Sequence, residues 1–395
     1  MFSFFKKKCA VCKQKAREPR KYYNDCDEAV VVCAQCAYTP NGARSGNAVP
    51  KRKACRVIGR FFLYKRSYIF RYNQKKPCIQ KGTLMNHKIE LKSENLHSSF
   101  NKEYKPILTI QSGDTIETRT PDIQWGYSSH KGEERVIYHS RENEERLGHP
   151  LIGPFAIEGA KPGMVLEVRI NQNVPGWYGR NWAGGTPAWQ NEKLGIADSE
   201  RLQVNWTLDA ELMTGTGTLS GKEFSVALSP FLGLIGLSPG EAGTHRTSPP
   251  YRTGGNIDCK ELVEGSSLFL PVEVEGALLS FGDGHAAQGD GENSGTAIEC
   301  PMDLVNLTVV LHEEMELAMP KAKTPAGWVT FGFDEDLNEA AAIALDEMVG
   351  LIQQFHSLSK TEAMALASVA VDLHITQVVN GVKGVHAILP HGAIR

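Results

Sequence analysis

At Met85 the chain changes chemistry, and no single fold draws on both sides of that boundary alike. Residues 1–84 carry 20 Lys and Arg against 4 Asp and Glu, and they hold seven of the nine cysteines. Residues 85–395 carry 23 basic against 41 acidic side chains and only Cys259 and Cys300. The overall net charge of -2 therefore hides a front segment at +16 and a body at -18. A length of 395 residues predicts two or three packed units. Apolar residues at 41% and charged residues at 22% exclude global disorder. Two cysteines downstream of Met85 exclude a disulfide framework there. No stretch approaches the roughly 20 apolar residues that span a bilayer. The opening Met1-Phe-Ser-Phe-Phe5 precedes Lys6, Lys7 and Lys8, the reverse of a secretory signal, so a cytoplasmic protein without membrane contact is expected.

In the front segment, Cys9-Ala-Val-Cys12 and Cys33-Ala-Gln-Cys36 form two C-x2-C knuckles. Two intervening residues let both thiolates of a knuckle reach one tetrahedral ion, and the second knuckle completes the set. The expectation is a zinc-ribbon-like unit over 1–45 with a structural zinc on Cys9, Cys12, Cys33 and Cys36. Four protein ligands leave no open position for catalysis. Residues 46–84 read as a basic linker interleaved with Phe61, Phe62, Tyr64, Tyr68, Phe70 and Tyr72. Such a stretch is the one place where nucleic acid could bind, through phosphate contacts and stacking. A further expectation is that Met85 starts an independent enzyme, with residues 1–84 as a fused ribbon and linker.

From Lys105 onward the text reads as short β runs punctuated by Gly, Pro and Asp turns. Pro106–Ile110, Gly113-Asp114 and Thr115–Thr118 suggest a hairpin. Val165–Ile170, Leu268–Val274 and Leu304–Leu311 are further strands. The helices come late: Leu337, Ala341, Ala344, Met348, Leu351 and Phe355 share a helical face, with Asp334 or Asp336 as its cap. Ser359-Lys-Thr-Glu362 is a capping box opening a second helix to about Val371. Two strands around Asn380-Gly381 close the chain. The expected fold is mostly β (α+β), with β-sandwich or jelly-roll-like sheets over 85–330 and a smaller α/β portion over 331–395.

Residues 282–292, Gly-Asp-Gly-His-Ala-Ala-Gln-Gly-Asp-Gly-Glu, place Asp283, His285, Asp290 and Glu292 within ten positions, separated by glycines that permit close backbone approach. Imidazole with carboxylate suits zinc and similar ions, whereas carboxylates alone suit calcium. Turn carboxylates that satisfy only their own backbone give the same pattern. Asp258 follows a Gly-Gly turn upstream. Two other motifs fail on chemistry. Gly236-Leu-Ser238-Pro-Gly240 matches a serine-hydrolase elbow, yet Pro239 has no N–H for an oxyanion hole. Asp290-x-Glu292-x-Ser294-Gly295 opens like an EF-hand, but its twelfth position is Pro301.

Several of these motifs, in this order, resemble the acetamidase/formamidase family. They are Ser112-Gly-Asp-Thr-Ile-Glu-Thr118, His149-Pro-Leu-Ile-Gly-Pro154 with Glu158-Gly-Ala-Lys-Pro-Gly163, and Leu232-Gly-Leu-Ile-Gly-Leu-Ser-Pro-Gly-Glu241. They continue in Thr253-Gly-Gly-Asn-Ile-Asp258, Gly282–Glu292 and Gly384-Val-His-Ala-Ile-Leu389. The resemblance covers about residues 105–390 and leaves the front segment without support. It implies hydrolysis of small aliphatic amides, a mostly β fold with a smaller α/β part, and a homodimer or larger assembly. Residues and resemblance together suggest a divalent ion, zinc favoured and calcium possible, on Asp122, Asp258, Asp283 and His285. Glu292 is the expected general acid/base, Asp290 orients it, His245 assists substrate, and His149 is structural. The competing reading is a non-catalytic, calcium-stabilised β protein that binds a small ligand in the same pocket.

Overall fold

The computed structural model describes residues 84–141 and 148–395, together with the strands Pro19–Tyr23 and Ala29–Cys33. The chain divides into two compact units, Met1–Asn73 and Gln74–Arg395. In the first, the two strands pair antiparallel with Pro19 opposite Cys33. Cys9, Cys12 and Cys36 lie outside the described residues, as does the basic aromatic stretch, so the zinc-ribbon and nucleic-acid expectations fall there too.

The second unit is mostly β. One sheet runs Pro250–Tyr251, Gly254–Asn256, Phe231–Leu237, Leu279–His285, Leu151–Ile157, Leu96–His97, and Leu108–Ile110 joins it parallel to Leu151–Ile157. A larger sheet runs Asp372–Gln377, Lys383–Pro390, Gly327–Asp334, Lys321–Lys323, Ser267–Pro271, Val165–Pro175, Met302–His312, Thr115–Thr120, Asn86–Lys88. Their facing residues make one continuous core: Leu96, Ile152, Phe155, Leu232 and Phe281 from the first, Leu166, Val168, Leu268, Leu307 and Phe331 from the second. Phe155 and Phe281 stack across adjacent strands with centroids 5.8 Å apart. This is the sandwich that alternating apolar positions predict. A smaller sheet, Tyr178–Ala183, Leu202–Asp209, Thr214–Leu219, Lys222–Ala227, is a meander.

The expected hairpin around Gly113-Asp114 is not one. Leu108–Ile110 belongs to the first sheet and Thr115–Thr120 to the second, so the turn carries the chain between layers. Gly113, at φ 100°, permits the reversal, and Asp114 accepts the Gln111 N–H at 3.1 Å and the Met85 N–H at 2.9 Å.

The late helices are as the pattern predicts. Leu337–His356 starts at Asp336, whose side chain accepts the Asn338 and Glu339 N–H groups, and Lys360–Ala370 opens on the Ser359/Glu362 capping box. Ala340, Ala344, Met348 and Ile352 pack on Val385, Ala387 and Leu389 of the last strand. Gly332 lets helix and sheet touch, since an added Cβ would stand 2.0 Å from the Ala340 carbonyl oxygen. The C-terminal α/β part is therefore continuous with the larger sheet rather than a layer apart. His386 and Ile388 alternate with the helix-facing residues and point to the opposite face of that sheet.

One buried histidine ties the edge of the first sheet to its central strand. His97 Nδ1–H donates to the Ser99 carbonyl at 2.7 Å, and Ser280 Oγ–H donates to His97 Nε2 at 2.9 Å. Burial disfavours its charged form, and with the nearby Arg141 outweighs the raising effect of the Ser99 bond, leaving a pKa of about 3. The unfolded chain takes up this proton below about pH 6.5, while the folded chain resists it until about pH 3. Stability is thus full above pH 6.5 and is lost as pH falls, by about 1.4 kcal/mol per unit from this residue. In urea unfolding between pH 6.5 and 5, stability is expected to fall less steeply in His97→Gln than in the parent, by up to about that slope. Equal slopes would contradict the assignment.

Candidate active site

Leu279–His285 runs antiparallel to Phe231–Leu237 with Phe231 opposite His285 and Leu234 opposite Gly282, so Gly233 faces Asp283. Asp283 and His285, two residues apart on a strand, project from the same face. Gly233 keeps that face open: an added Cβ would stand 2.6 Å from His285 Cε1 and 2.7 Å from both Asp258 Oδ1 and Asp283 Oδ2. Asp258 follows the strand Gly254–Asn256, where a Gly-Gly turn was expected, and its main-chain N–H donates to the Gly233 carbonyl at 3.1 Å. Glu299 pairs by backbone bridges with both His285 and Arg180, and Glu292 comes from the glycine-rich loop that leaves the strand.

Asp258, Asp283 and Glu292 all adopt left-handed backbone, at φ 53°, 60° and 47°. Each costs about 1 kcal/mol or more for a residue with a Cβ, and such strain concentrates where side chains must be aimed. Two nitrogens hold Asp258: Asn380 Nδ2 donates to its Oδ2 at 2.8 Å, and Gln288 Nε2 donates to its carbonyl at 2.7 Å.

Four carboxyls thus surround one imidazole, and none of the five residues is more than 6% exposed. His285 Nε2 lies 3.3 Å from both Asp283 Oδ2 and Glu299 Oε2. Burial alone would lower the His285 pKa, but Glu299 and Asp283 beside it hold it well above the ordinary value. Asp283 is the converse: burial would raise it, and the His149 and His285 charges outweigh burial and hold it at about 2. Burial, with the other carboxyls, pushes Asp258 up to about 8 and Glu292 well above the ordinary carboxylate range, while Glu299 also rises. The Asp258 charge adds to the rise at Glu292, and interaction with Glu292 partly offsets the rise at Asp258. Asp258 Oδ1, Asp283 Oδ1, Glu292 Oε2, Glu299 Oε2 and His285 Nδ1 are buried and receive no donor from elsewhere in the described residues. Ligand atoms of Asp258, Asp283 and His285 lie within 4.8 Å of one another, as do those of His285, Glu292 and Glu299.

Asp258, Asp283, His285 and Glu292 from the sequence reading are therefore brought together, and Glu299 joins them. Three others are not. Asp122 is fully buried, but its carboxylate takes the Arg135 and Arg180 guanidinium groups and the Tyr178 hydroxyl, the last two at 2.8 Å. A carboxylate so occupied has no lone pair left for an ion, which corrects the expectation that it is a ligand. Asp290 turns away from Glu292 to His374 Nδ1 at 3.0 Å and Lys260 Nζ at 3.3 Å. His245 sits on a two-residue strand against Ser99–Phe100, its Nε2 on the Glu241 carbonyl at 3.2 Å, outside the cluster. His149 bonds Thr247 Oγ1 at 2.9 Å through Nδ1, yet it also stands close enough to Asp283 and Glu299 to favour their charged forms, more than a structural part. Glu299 was missed because it lies outside the glycine-rich motif; its signal was only an acid beside Cys300. An open cleft of about 540 Å³ lined by Tyr251, Arg252, Phe333, Asp334 and Val382 includes none of the clustered carboxyls.

The sequence profile of the acetamidase/formamidase family matches residues 193–392, a span that takes in every clustered residue. The chain belongs to this family. A formamidase of Methylophilus methylotrophus is 53% identical over 244 residues, 50% of this chain and 59% of that protein. The chain spans about 60% of the length of the curated relatives it matches most extensively. Among solved structures, an acetamidase from Bacillus halodurans is 30% identical with a TM-score of 0.63, covering 76% of this chain and 97% of that one. A recombinant predicted acetamidase/formamidase from Thermoanaerobacter tengcongensis is 29% identical with a TM-score of 0.65, covering 77% and 96%. These likenesses carry the mostly β fold, and among the described residues no helix is long and apolar enough to cross a membrane.

Proposed function

We propose that the buried cluster hydrolyses small aliphatic amides of the formamide or acetamide type to a carboxylate and ammonia, with a divalent ion held by Asp258, Asp283 and His285. The observation that carries this reading is the excess of buried carboxyls over cations, with one oxygen on each of Asp258, Asp283 and Glu292 left without a donor. A dication answers both the charge and the empty acceptor positions. The mixed imidazole and carboxylate donors favour zinc over calcium. Such an ion supplies Lewis acidity, polarising an amide carbonyl and acidifying water. The names of the relatives, formamidase and acetamidase, support the same substrates.

Amide hydrolysis joins a water oxygen to the carbonyl carbon, breaks the C–N bond, and moves one water proton to the departing nitrogen. Glu292 is suited to that transfer. Burial and the Asp258 charge raise its proton affinity above that of an ordinary carboxylate, which suits its carboxyl to accept a proton and return it. Gln288 commits its Nε2 to the Asp258 carbonyl and leaves a buried Oε1 without a partner, an acceptor suited to the N–H of a primary amide. Asn380 fixes Asp258 and so keeps its second oxygen directed into the cluster.

The test is ammonia release from formamide and acetamide by the full chain, as purified, after chelation, and after adding back zinc, calcium or manganese. Turnover lost on chelation and restored by one ion is expected. A folded protein that binds metal and releases no ammonia from either amide would overturn the reading in favour of a ligand-binding protein.

A further inference from the structure

The glycine-rich loop reaches a second group of metal-ligand side chains that the proposed hydrolysis does not use. The loop is laid along the last hairpin: Gly291 N–H donates to the Thr376 carbonyl at 3.1 Å, and Val378 N–H donates back to the Gly291 carbonyl at 3.3 Å. Asp290, next along, places Oδ2 3.0 Å from His374 Nδ1. His374 and His386 are direct partners across the antiparallel strands Asp372–Gln377 and Lys383–Pro390. Cross-strand partners project on the same face about 5 Å apart. Their rings stand 5.0 Å apart, parallel within 7°.

His386 supplies the observation that points to a ligand. It is 0% exposed, its Nδ1 is bonded to Thr376 Oγ1 at 2.8 Å, and its Nε2 has no partner. A buried ring nitrogen left unsatisfied is costly, so its retention calls for an explanation. An imidazole fixed through one nitrogen with the other left free is also the arrangement metal-binding histidines adopt. Ligand atoms of Asp290, His374 and His386 lie within 4.8 Å of one another.

We propose that Asp290, His374 and His386 form a second divalent-metal site, distinct from the buried carboxyl cluster and selective for zinc-class ions. Two imidazoles and one carboxylate suit zinc, cobalt or nickel and disfavour calcium and magnesium, which take oxygen ligands. Asp290 and His374 are half-buried, so an ion has access from solvent. Lone pairs lie in the ring planes, and two parallel rings cannot both aim at one ion. His374 has the freedom to turn, because Asp372–Gln377 is an edge strand of the larger sheet and the ring is 33% exposed. Lys260, which now shares Asp290, also holds Glu261 Oε1 at 2.7 Å and keeps that partner when an ion takes its place. The ion would clamp the loop that carries Glu292 to the hairpin that carries Asn380, bracing both walls of the active cluster.

Metal-stripped full-length protein is dialysed against micromolar zinc, and bound zinc is counted by atomic emission for the parent, His374→Ala, Asp290→Asn and Asp283→Asn. Both altered positions of the second site are half-buried, so the fold is expected to survive, and circular dichroism checks it. His374→Ala and Asp290→Asn should each lose one equivalent, and combining either with Asp283→Asn should lose two. Unchanged zinc in both second-site variants would overturn the proposal. In parallel, cobalt(II) added to the unaltered parent is read by visible absorption, so that no outcome depends on a variant that misfolds. Beyond the step of the carboxyl cluster, a further binding step with nitrogen-ligand bands and no thiolate-to-cobalt charge-transfer band is expected, and its absence would overturn the proposal. Zinc counts are independent of ammonia release, so failure here and failure of the amidase reading are separable.

Discussion

Gly233→Ala is expected to strip the buried cluster of its ion, lowering metal affinity at least 100-fold, while the sandwich stays folded. The added methyl would stand 2.6 Å from His285 Cε1 and 2.7 Å from Asp258 Oδ1 and Asp283 Oδ2, closer than nonbonded carbon and oxygen approach. None of these groups is the loose end of a flexible chain. Asp283 and His285 are fixed by the strand, and Asp258 is fixed by its N–H on Gly233 itself and by Asn380. Gly233 lies outside the left-handed region, so alanine meets no backbone strain and acts through volume alone. On the unfolded chain, Gly→Ala is mildly stabilising. The result should therefore be a folded protein that has lost one equivalent of metal and its turnover, read by atomic emission and thermal unfolding. An alanine variant with an unchanged metal count would show that the ion sits elsewhere.

Glu292→Gln is expected to lower kcat by about 10²–10⁴-fold with KM little changed and metal retained. Glutamine keeps the size and polarity of the side chain and its tolerance of φ 47°, but it cannot carry the proton. Asp258 cannot take over that role, because Asn380 holds it in place and the proposal commits its carboxylate to the ion. Full activity in this variant would eliminate Glu292 as the proton carrier. Reduced activity with lost metal would instead make it a ligand alongside Glu299, which the closeness of His285, Glu292 and Glu299 allows.

Patterns of local origin were legible. The capping box at Ser359, the Asp336 cap and the apolar face of Leu337–His356 depend on residues three or four apart, and each is in place. The strands beginning near Val165, Leu268 and Met302 follow from apolar runs between turns. The hairpin around Gly113 failed because a glycine turn sets a reversal without saying which sheet the next strand joins. Asn380-Gly381 was read as a turn, which it is, but the reach of Asn380 to Asp258, 122 positions away, leaves no mark in the local sequence.

The candidate site divides along the same line. Asp283, His285 and Glu292 were readable because glycine-spaced acids and a histidine within one short segment already share a neighbourhood. The sequence by itself determined the β-rich class, the late helices and the segment that supplies Asp283, His285 and Glu292 to the cluster, since each rests on periodicity or spacing within a few residues. Only the tertiary structure decided which distant side chains complete it. It filled Asp122 with two guanidinium groups, brought Glu299 against His285 and turned Asp290 toward His374 and His386. Those choices follow from strand register and from which cation reaches a buried carboxylate, and the pairings of Asp122 with Arg180 and of Asp290 with His374, 58 and 84 positions apart, are set by packing rather than by any local preference.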